Sequence, residues 1–356
     1  MPAHFRYSPN PNRASEIRWR PWGRDAFDEA AAADAPVLLA LTAIWCRWCH
    51  RMDETTFSEP DLIELVNERL IPIRVDADLH PHVQERYLAA GWPTNAFLTP
   101  TGEVLWSGTY VPPEEFRSVA AGVLAAWRGR REELEVEIAR RRKALEAARS
   151  RRHVSGLVRR EAATEVLDLI RAGFDLYNGG FGSEPKFPDG ALLELLFAHG
   201  HRAGGAAWRA MAERMLDGIL AGELRDPVED GFFRYALAAD WTSPQREKLL
   251  DTNAGLLTAF ALGCALHPVR TDWRGAAEGI VSWVESRLAL PNGLWGASEC
   301  APDGYYDLDA AERRRRGTPF VDPIIYAAPN ARWVAALADA GGRLGRADWI
   351  ARAREA

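Results

Sequence analysis

Hydrophobic and polar positions along this chain follow two different rules. Up to about residue 128, short unbroken apolar runs alternate with amphipathic stretches; beyond about residue 157, amphipathic stretches at helical spacing take over. Val37-Leu38-Leu39-Ala40-Leu41 is too short for a buried helix and has no polar face. It predicts a strand covered on both sides, as does Leu70-Ile71-Pro72-Ile73-Arg74-Val75-Asp76. Asp25 to Ala31 predicts a short amphipathic helix that Pro36 stops. Residues 46–57 and 60–69 predict two more, the second with Ser58 as N-cap and Pro60 in its first turn. His82 to Ala89 predicts a further helix. Ala96-Phe97-Leu98 and Glu103-Val104-Leu105-Trp106 predict a hairpin around Pro100-Thr101-Gly102. A last helix starts near Pro113 and sets Phe116, Val119 and Val123 on one face.

From Arg128 to Arg152 the chain is rich in Arg, Glu and Ala, with Leu134, Ile138 and Leu145 at helical spacing. This predicts an exposed connecting helix, broken at His153 to Gly156. Its Arg140-Arg141-Arg142-Lys143 run reads as a solvated face. Helical patterns then cover residues 161–177, 189–202, 205–222, 245–267, 272–290 and 324–341, with another starting at 347. Between alternate pairs lie turns that join glycine to aromatics: Gly179-Gly180-Phe181-Gly182, Asp230-Gly231-Phe232-Phe233, Gly293-Leu294-Trp295-Gly296 and Asp303-Gly304-Tyr305-Tyr306. Such spacing predicts an array of α/α-hairpins. The expected organisation is residues 1–128 as an α/β domain with an N-terminal extension, 129–156 as a charged helical linker, and 157–356 as an all-α domain.

The 356 residues carry a net charge of −6, which points neither to nucleic acid nor to a membrane as partner. Fourteen tryptophans are expected to fill helical cores. Four cysteines, Cys46, Cys49, Cys264 and Cys300, are too few for a disulfide framework. The start, Met1-Pro2-Ala3-His4-Phe5-Arg6, has no apolar signal core, so a cytoplasmic protein is expected.

In that compartment a paired C-x-x-C is more often catalytic or metal-binding than structural. Here Trp45-Cys46-Arg47-Trp48-Cys49-His50 follows a predicted buried strand and opens a predicted helix, whose N-terminus favours a thiolate. The element order is that of a thioredoxin fold. Gly91-Trp92-Pro93-Thr94 precedes the third strand, where such folds set a cis-proline opposite the dithiol. Cys46 is expected as the exposed nucleophile and Cys49 as the resolving thiol. Trp45, Arg47, Trp48, His50, Trp92 and Pro93 are the candidate substrate-positioning residues. Where thioredoxins carry a buried acid six residues before the first cysteine, this chain has Ala40, so His50 or water must handle the proton. Cys46-x-x-Cys49-His50 also spells the c-type haem attachment motif, which would require export. No second C-x-x-C or H-x-x-H completes a zinc site. No metal and no cofactor are expected.

The stretches Cys46 to His50, Met52-Asp53-Glu54-Thr55-Thr56-Phe57, Gly91-Trp92-Pro93, Phe97-Leu98-Thr99-Pro100 and Gly108-Thr109-Tyr110 resemble the thioredoxin-like domain of the spermatogenesis-associated protein 20-like family. The resemblance continues more loosely in Gly179 to Pro188, Asp230 to Tyr235, Glu247 to Ala254 and Asn330-Ala331. It implies a thioredoxin fold joined to a helical domain of the six-hairpin glycosidase type, a partial α/α toroid. It implies no settled reaction.

A closed ring needs about twelve helices. The pattern predicts about seven, so either the gene product is shortened or the ring is open; an open array would leave apolar faces for self-association. Two function classes remain open. One is thiol–disulfide exchange with a protein or small-molecule thiol or disulfide. The other is a carbohydrate ligand in the helical domain, where Tyr235, Asp240, Trp241, Glu247 and Asp251 are the candidate cleft residues, carboxyls for acid–base work and rings for stacking. Asp230 and Glu299 are further acids, and Trp295 and Tyr305 further rings. A non-catalytic scaffold is the third reading.

Overall fold

The computed structural model describes residues 5–88, 90–152, 160–202 and 204–356. The break expected at residues 153–156 lies outside the described residues, as do Met1–His4 and Ala89. The chain divides into two compact units, Met1–Leu157 and Val158–Ala356. Residues 129–152, expected as a linker, therefore count with the first unit.

The first unit is built on a four-stranded sheet. Its strands are β1 (Val37–Thr42), β2 (Ile71–Asp76), β3 (Thr94–Leu98) and β4 (Val104–Gly108), in the order β2-β1-β3-β4. β1 runs parallel to β2 and antiparallel to β3, and β4 is antiparallel to β3. The apolar runs work as their pattern requires, because the side chains of β1 alternate between two cores. Leu38 and Ala40 face one core with Met52, Leu62, Val66, Phe97 and Phe116. Val37, Leu39 and Leu41 face the other with Ala26, Ala30, Val83 and Tyr87. The helices α2 (Arg47–Glu54), α3 (Pro60–Arg69) and α5 (Pro113–Gly129) supply the first core; α1 (Arg24–Ala32) and α4 (Pro81–Tyr87) supply the second. This is a thioredoxin fold.

Three local expectations change. The helix expected over 46–57 ends at Glu54 and is followed by a separate turn of 3-10 helix, Thr56–Ser58. Ser58 does not cap α3; Glu59 holds that position without a side-chain bond, and the Ser58 hydroxyl donates instead to the Asp53 carbonyl at 2.6 Å. The long helix α6 (Arg131–Arg152) is mostly exposed, yet it is tied to its own unit. Arg142 pairs with Glu103 at 2.7 Å, and Arg131 lies 3.5 Å over the Trp127 ring while pairing with Asp34 at 2.9 Å.

The second unit comprises α7 (Arg160–Gly173), α8 (Gly190–Gly200), α9 (Ala206–Ala221), α10 (Leu250–Leu266), α11 (Thr271–Trp283), α12 (Ala310–Arg316), α13 (Ala327–Leu344) and α14 (Ala347–Glu355). The sequence missed α12, whose start is a capping box between Asp309 and Glu312. Short strands β5 (Tyr235–Ala236), β6 (Pro244–Gln245), β7 (Lys248–Leu249), β8 (Ser298–Cys300) and β9 (Phe320–Val321) lie in the connections. The helix expected from 245 therefore starts only at 250. The helices α8, α10 and α13 pack in that order, each preceded by a glycine-aromatic turn. Trp241, Trp273, Trp283, Trp295 and Trp333 are all fully buried in this unit.

The hairpins repeat at atomic detail. Asp175 accepts the Tyr177 N–H at 2.8 Å, and Asp226 accepts the Val228 N–H at 3.1 Å. Each carboxylate also takes a fully buried lysine, Lys186 or Lys248. Those lysines donate a second bond to the Gly179 carbonyl at 2.6 Å and the Asp230 carbonyl at 2.7 Å. A second repeat links the turns to the inner helices. Asn253 accepts from Phe232 N–H at 2.8 Å and donates to its carbonyl at 3.0 Å; Asn330 does the same with Trp295, at 3.0 and 2.9 Å. Each buried asparagine thereby satisfies an otherwise orphaned backbone pair.

Candidate functional site

Cys46 closes β1's loop and becomes the N-cap of α2. Its Sγ accepts the Cys49 backbone N–H at 3.0 Å, and the two cysteines form a disulfide. The bond sits where helix N–H groups and the helix dipole favour negative charge on sulfur. The Trp92–Pro93 peptide is cis, with Pro93 buried, as the motif predicts. Trp45 and Trp92 pack against the Ala43-Cys46-Cys49 cluster and meet each other edge to face, with centroids 5.4 Å apart. The Trp45 indole N–H donates to Asp78 at 2.9 Å, which fixes the ring.

One expectation fails here. Cys46 is not exposed: both cysteines are 1% accessible in this disulfide form. Trp45 and Trp92 pack against both cysteines and Ala43, a contact that C-x-x-C spacing does not reveal. Trp48, by contrast, is 45% exposed and tilts against Tyr110 at 5.2 Å. Arg47 is exposed on the first turn of α2. His50 is half-buried, and its Nε2 atom is buried with no hydrogen-bond partner among the described residues. Burial pushes its imidazole below the ordinary histidine value, against the pull of the Asp53 and Glu54 carboxylates. Ala40 is fully buried and leaves the usual acid position apolar.

Among the helical candidates Tyr235 and Glu247 are neighbours: the Arg234 N–H donates to the Glu247 carbonyl at 2.8 Å, and the Glu247 carboxylate adds to the burial that raises the Tyr235 hydroxyl. Tyr235 is half-buried and stacks on the exposed Phe187 at 4.7 Å. Asp240 closes its own turn by accepting from Thr242 N–H at 3.1 Å and its hydroxyl at 2.6 Å. Trp241 is fully buried, and its indole N–H donates to the Asn178 carbonyl at 3.0 Å. That corrects the stacking role expected for it: it is a core residue that wedges under Gly180, Gly218 and Gly222, each too close to carry a Cβ. Trp295 and Tyr305 are buried too. Glu247 is buried and pairs with Arg234 at 3.0 Å, and Asp251 pairs with Arg332 at 2.6 Å. Asp230 pairs with Arg225 at 2.7 Å. Glu299 is buried and accepts the Tyr306 hydroxyl at 2.8 Å; burial pushes its carboxyl up, against Lys248.

Residues 10–146 match the family described as a protein of unknown function, DUF255 (Thioredox_DsbH). Spermatogenesis-associated protein 20 of Rattus norvegicus is 30% identical over 309 residues, covering 80% of this chain and 39% of its own length. The chain belongs to the spermatogenesis-associated protein 20-like family. It spans about two fifths of the length of the curated relatives from rat, human and mouse. A thioredoxin from Thermus thermophilus is 25% identical, with a TM-score of 0.29 over 32% of this chain and 91% of that one. Cellobiose 2-epimerase from Spirochaeta thermophila is 15% identical, with a TM-score of 0.41 over 53% of this chain and 48% of that one.

Within this family fold, two features under the dithiol helix escaped the sequence reading. Asp53, one turn beyond Cys49, is fully buried and takes both guanidinium arms of Arg74 at 2.8 Å, together with the Ser8 N–H at 3.0 Å. Arg74 also donates to the Arg6 carbonyl at 2.9 Å. The pair bolts α2 to β2 and to the N-terminal segment, and losing one partner of such a pair costs about 3–5 kcal/mol. A polar residue on the inner face of an apolar run was the available signal: Arg74 interrupts β2, and an acid had to meet it.

Proposed function

We propose that this chain performs thiol–disulfide exchange at Cys46–Cys49, with a protein or small-molecule thiol or disulfide as the other reactant. The observation that carries this reading is the Cys49 N–H held 3.0 Å from Cys46 Sγ at a helix start. The same N–H is in place to stabilise the Cys46 thiolate once the pair is reduced. In the reduced form that thiolate attacks one sulfur of a substrate disulfide and displaces the other as a thiolate. Cys49 then attacks Cys46 Sγ, the intramolecular disulfide reforms, and the second substrate sulfur leaves with a proton. Ala40 offers no acid for these proton transfers, which leaves His50 as the nearest ionisable side chain in sequence to Cys49. The small number of cysteines, four in all, supports a cytosolic setting.

Redox titration of the folded protein in dithiothreitol buffers tests this, with alkylation and mass analysis. The expected result is one reversible two-electron cycle confined to Cys46 and Cys49. In the reduced protein, iodoacetamide near neutral pH should label Cys46 well before Cys49, and Cys46→Ser should abolish the cycle. A bond reduced only when the domain unfolds would make it a structural disulfide and end this reading.

A second reading, carbohydrate binding by the helical unit, is supported by the Phe187–Tyr235 stack, whose Phe187 ring is 48% exposed.

A further inference from the structure

β1 ends at the dithiol loop, and β3 begins beside that end because the two strands are antiparallel. In register, Ala40 is flanked by Arg74 on β2 and Asn95 on β3. Residues directly opposite one another in a sheet point their side chains to the same face. Ala40 and Phe97 face the core under α2 together with Met52, so Asn95, two residues from Phe97, faces it as well. The buried residues of α2 are Cys49, Met52 and Asp53. Asp53 lands on Arg74, and Met52 packs in the core of Ala40 and Phe97. Cys49 lies one turn nearer the helix start, toward the end of the sheet where Asn95 stands.

Asn95 is fully buried. Its Nδ2 donates to the Thr109 carbonyl at 2.8 Å, and this fixes which way the amide faces, because a carbonyl only accepts. Its Oδ1 is buried with no hydrogen-bond donor among the described residues while the cysteines are joined. An amide oxygen in that state has lost its hydration with nothing to offset the loss. A disulfide has no hydrogen to give, whereas a thiol does.

We propose that Asn95 Oδ1 accepts the hydrogen of the Cys49 thiol once the pair is reduced, and that it stands in for the acid absent at Ala40. The inference rests on the exchange reaction proposed above. In that reaction a reductant dithiol breaks the Cys46–Cys49 bond, gives up two electrons and two protons, and closes its own disulfide. Cys49 keeps one proton as S–H, which supplies Oδ1 with its donor. The other goes to Cys46 or, where Cys46 stays a thiolate, to water. An amide cannot take the proton away. The hydrogen bond therefore favours the Cys49 thiol over its thiolate, and the reduced pair over the disulfide.

The full chain is equilibrated at pH 7 in mixtures of reduced and oxidised dithiothreitol and then alkylated, and the mass of the peptide holding Cys46 and Cys49 is read. Asn95→Leu fills the same space without a polar atom and gives up the Thr109 bond in both redox forms alike. It should move the equilibrium about tenfold toward the disulfide, which is ~30 mV for a two-electron couple. Asn95→Asp sets an ionisable carboxyl at the same point. Its proton affinity should differ between the two forms, so the equilibrium followed against pH should gain a bend that the natural sequence lacks. If Asn95→Leu does not fold, the Asn95→Asp profile decides alone. An equilibrium that Asn95→Leu leaves in place or moves toward the dithiol would overturn the inference, as would an Asn95→Asp profile with no added bend. Either result leaves the exchange reaction standing. A natural protein that dithiothreitol reduces only as it unfolds would overturn both.

Discussion

Charge burial is the question at the scale of single residues. His50 sits in the first turn of α2, with an Nε2 atom that meets neither solvent nor a partner among the described residues. Burial holds its imidazole below the ordinary histidine value of about 6.5. As pH falls through that value the unfolded chain takes up the proton first, so the unfolded state binds more protons than the folded one. Stability therefore rises with pH across this window. It is fully present above about 6.5 and declines as the pH drops toward the lower folded value. Urea midpoints measured between pH 7.5 and 5.5 should fall for the natural sequence, and His50→Gln should show a shallower fall. Identical slopes for the two proteins would mean that His50 titrates as freely in the folded protein as in the unfolded chain. Cys46 differs: its place at the N-cap follows from the local sequence, whereas its burial belongs to the packed cluster with Ala43 and Cys49 that Trp45 and Trp92 adjoin.

Among elements, the contact between α8 and α10 is set by two glycines. A Cβ on Gly190 would lie 2.5 Å from the Gly255 Cα, and backbone cannot yield there. A Cβ on Gly255 would meet the Gly190 Cα at 3.3 Å, tight but within reach of a small adjustment. The two substitutions should therefore differ although the residues touch. Gly190→Ala is expected to destabilise the helical unit by about 1–3 kcal/mol through forced separation. For Gly255→Ala, the improved helix propensity of about 1 kcal/mol should offset most of the crowding. Urea unfolding followed by circular dichroism would show the asymmetry, and equal losses at both sites would refute the close crossing. Asn253 on α10 and Asn330 on α13 clamp the turns at Phe232 and Trp295 to the helix that follows each.

At the scale of the molecule, the boundary between the units decides what can act alone. The first unit runs through Leu157 and includes α6, which is tied back through Arg131 and Arg142. A fragment of residues 1–157 should keep the Cys46–Cys49 cycle at the rate of the full chain, as assayed by alkylation and mass analysis. A fragment ending at residue 128 should be less stable by about 1–2 kcal/mol, because it drops the Arg131 cation from Trp127 and from Asp34. A shorter fragment as stable as the longer would make α6 an ornament to the fold. Among the described residues no helix is long and apolar enough to cross a membrane.

Patterns with a short period were readable from the sequence. The runs at Val37 and Ile71, the dithiol spacing and the Trp92–Pro93 turn depend on neighbours along the chain, so they fixed the thioredoxin fold and placed Cys46 at a helix start. The helix periodicity beyond residue 157 likewise fixed an array of hairpins. Burial of particular side chains depends on partners tens of residues away, and those were not readable. Trp241 looked like a surface ring and is a core wedge, because Gly180, Gly218 and Gly222 open a place for it. In the sequence Asp53 figures only as part of a family resemblance, and it is a buried bolt because Arg74 on β2 meets it. Local sequence sets which backbone forms at what spacing; only the packed chain decides which polar groups find partners and which sulfur stays covered.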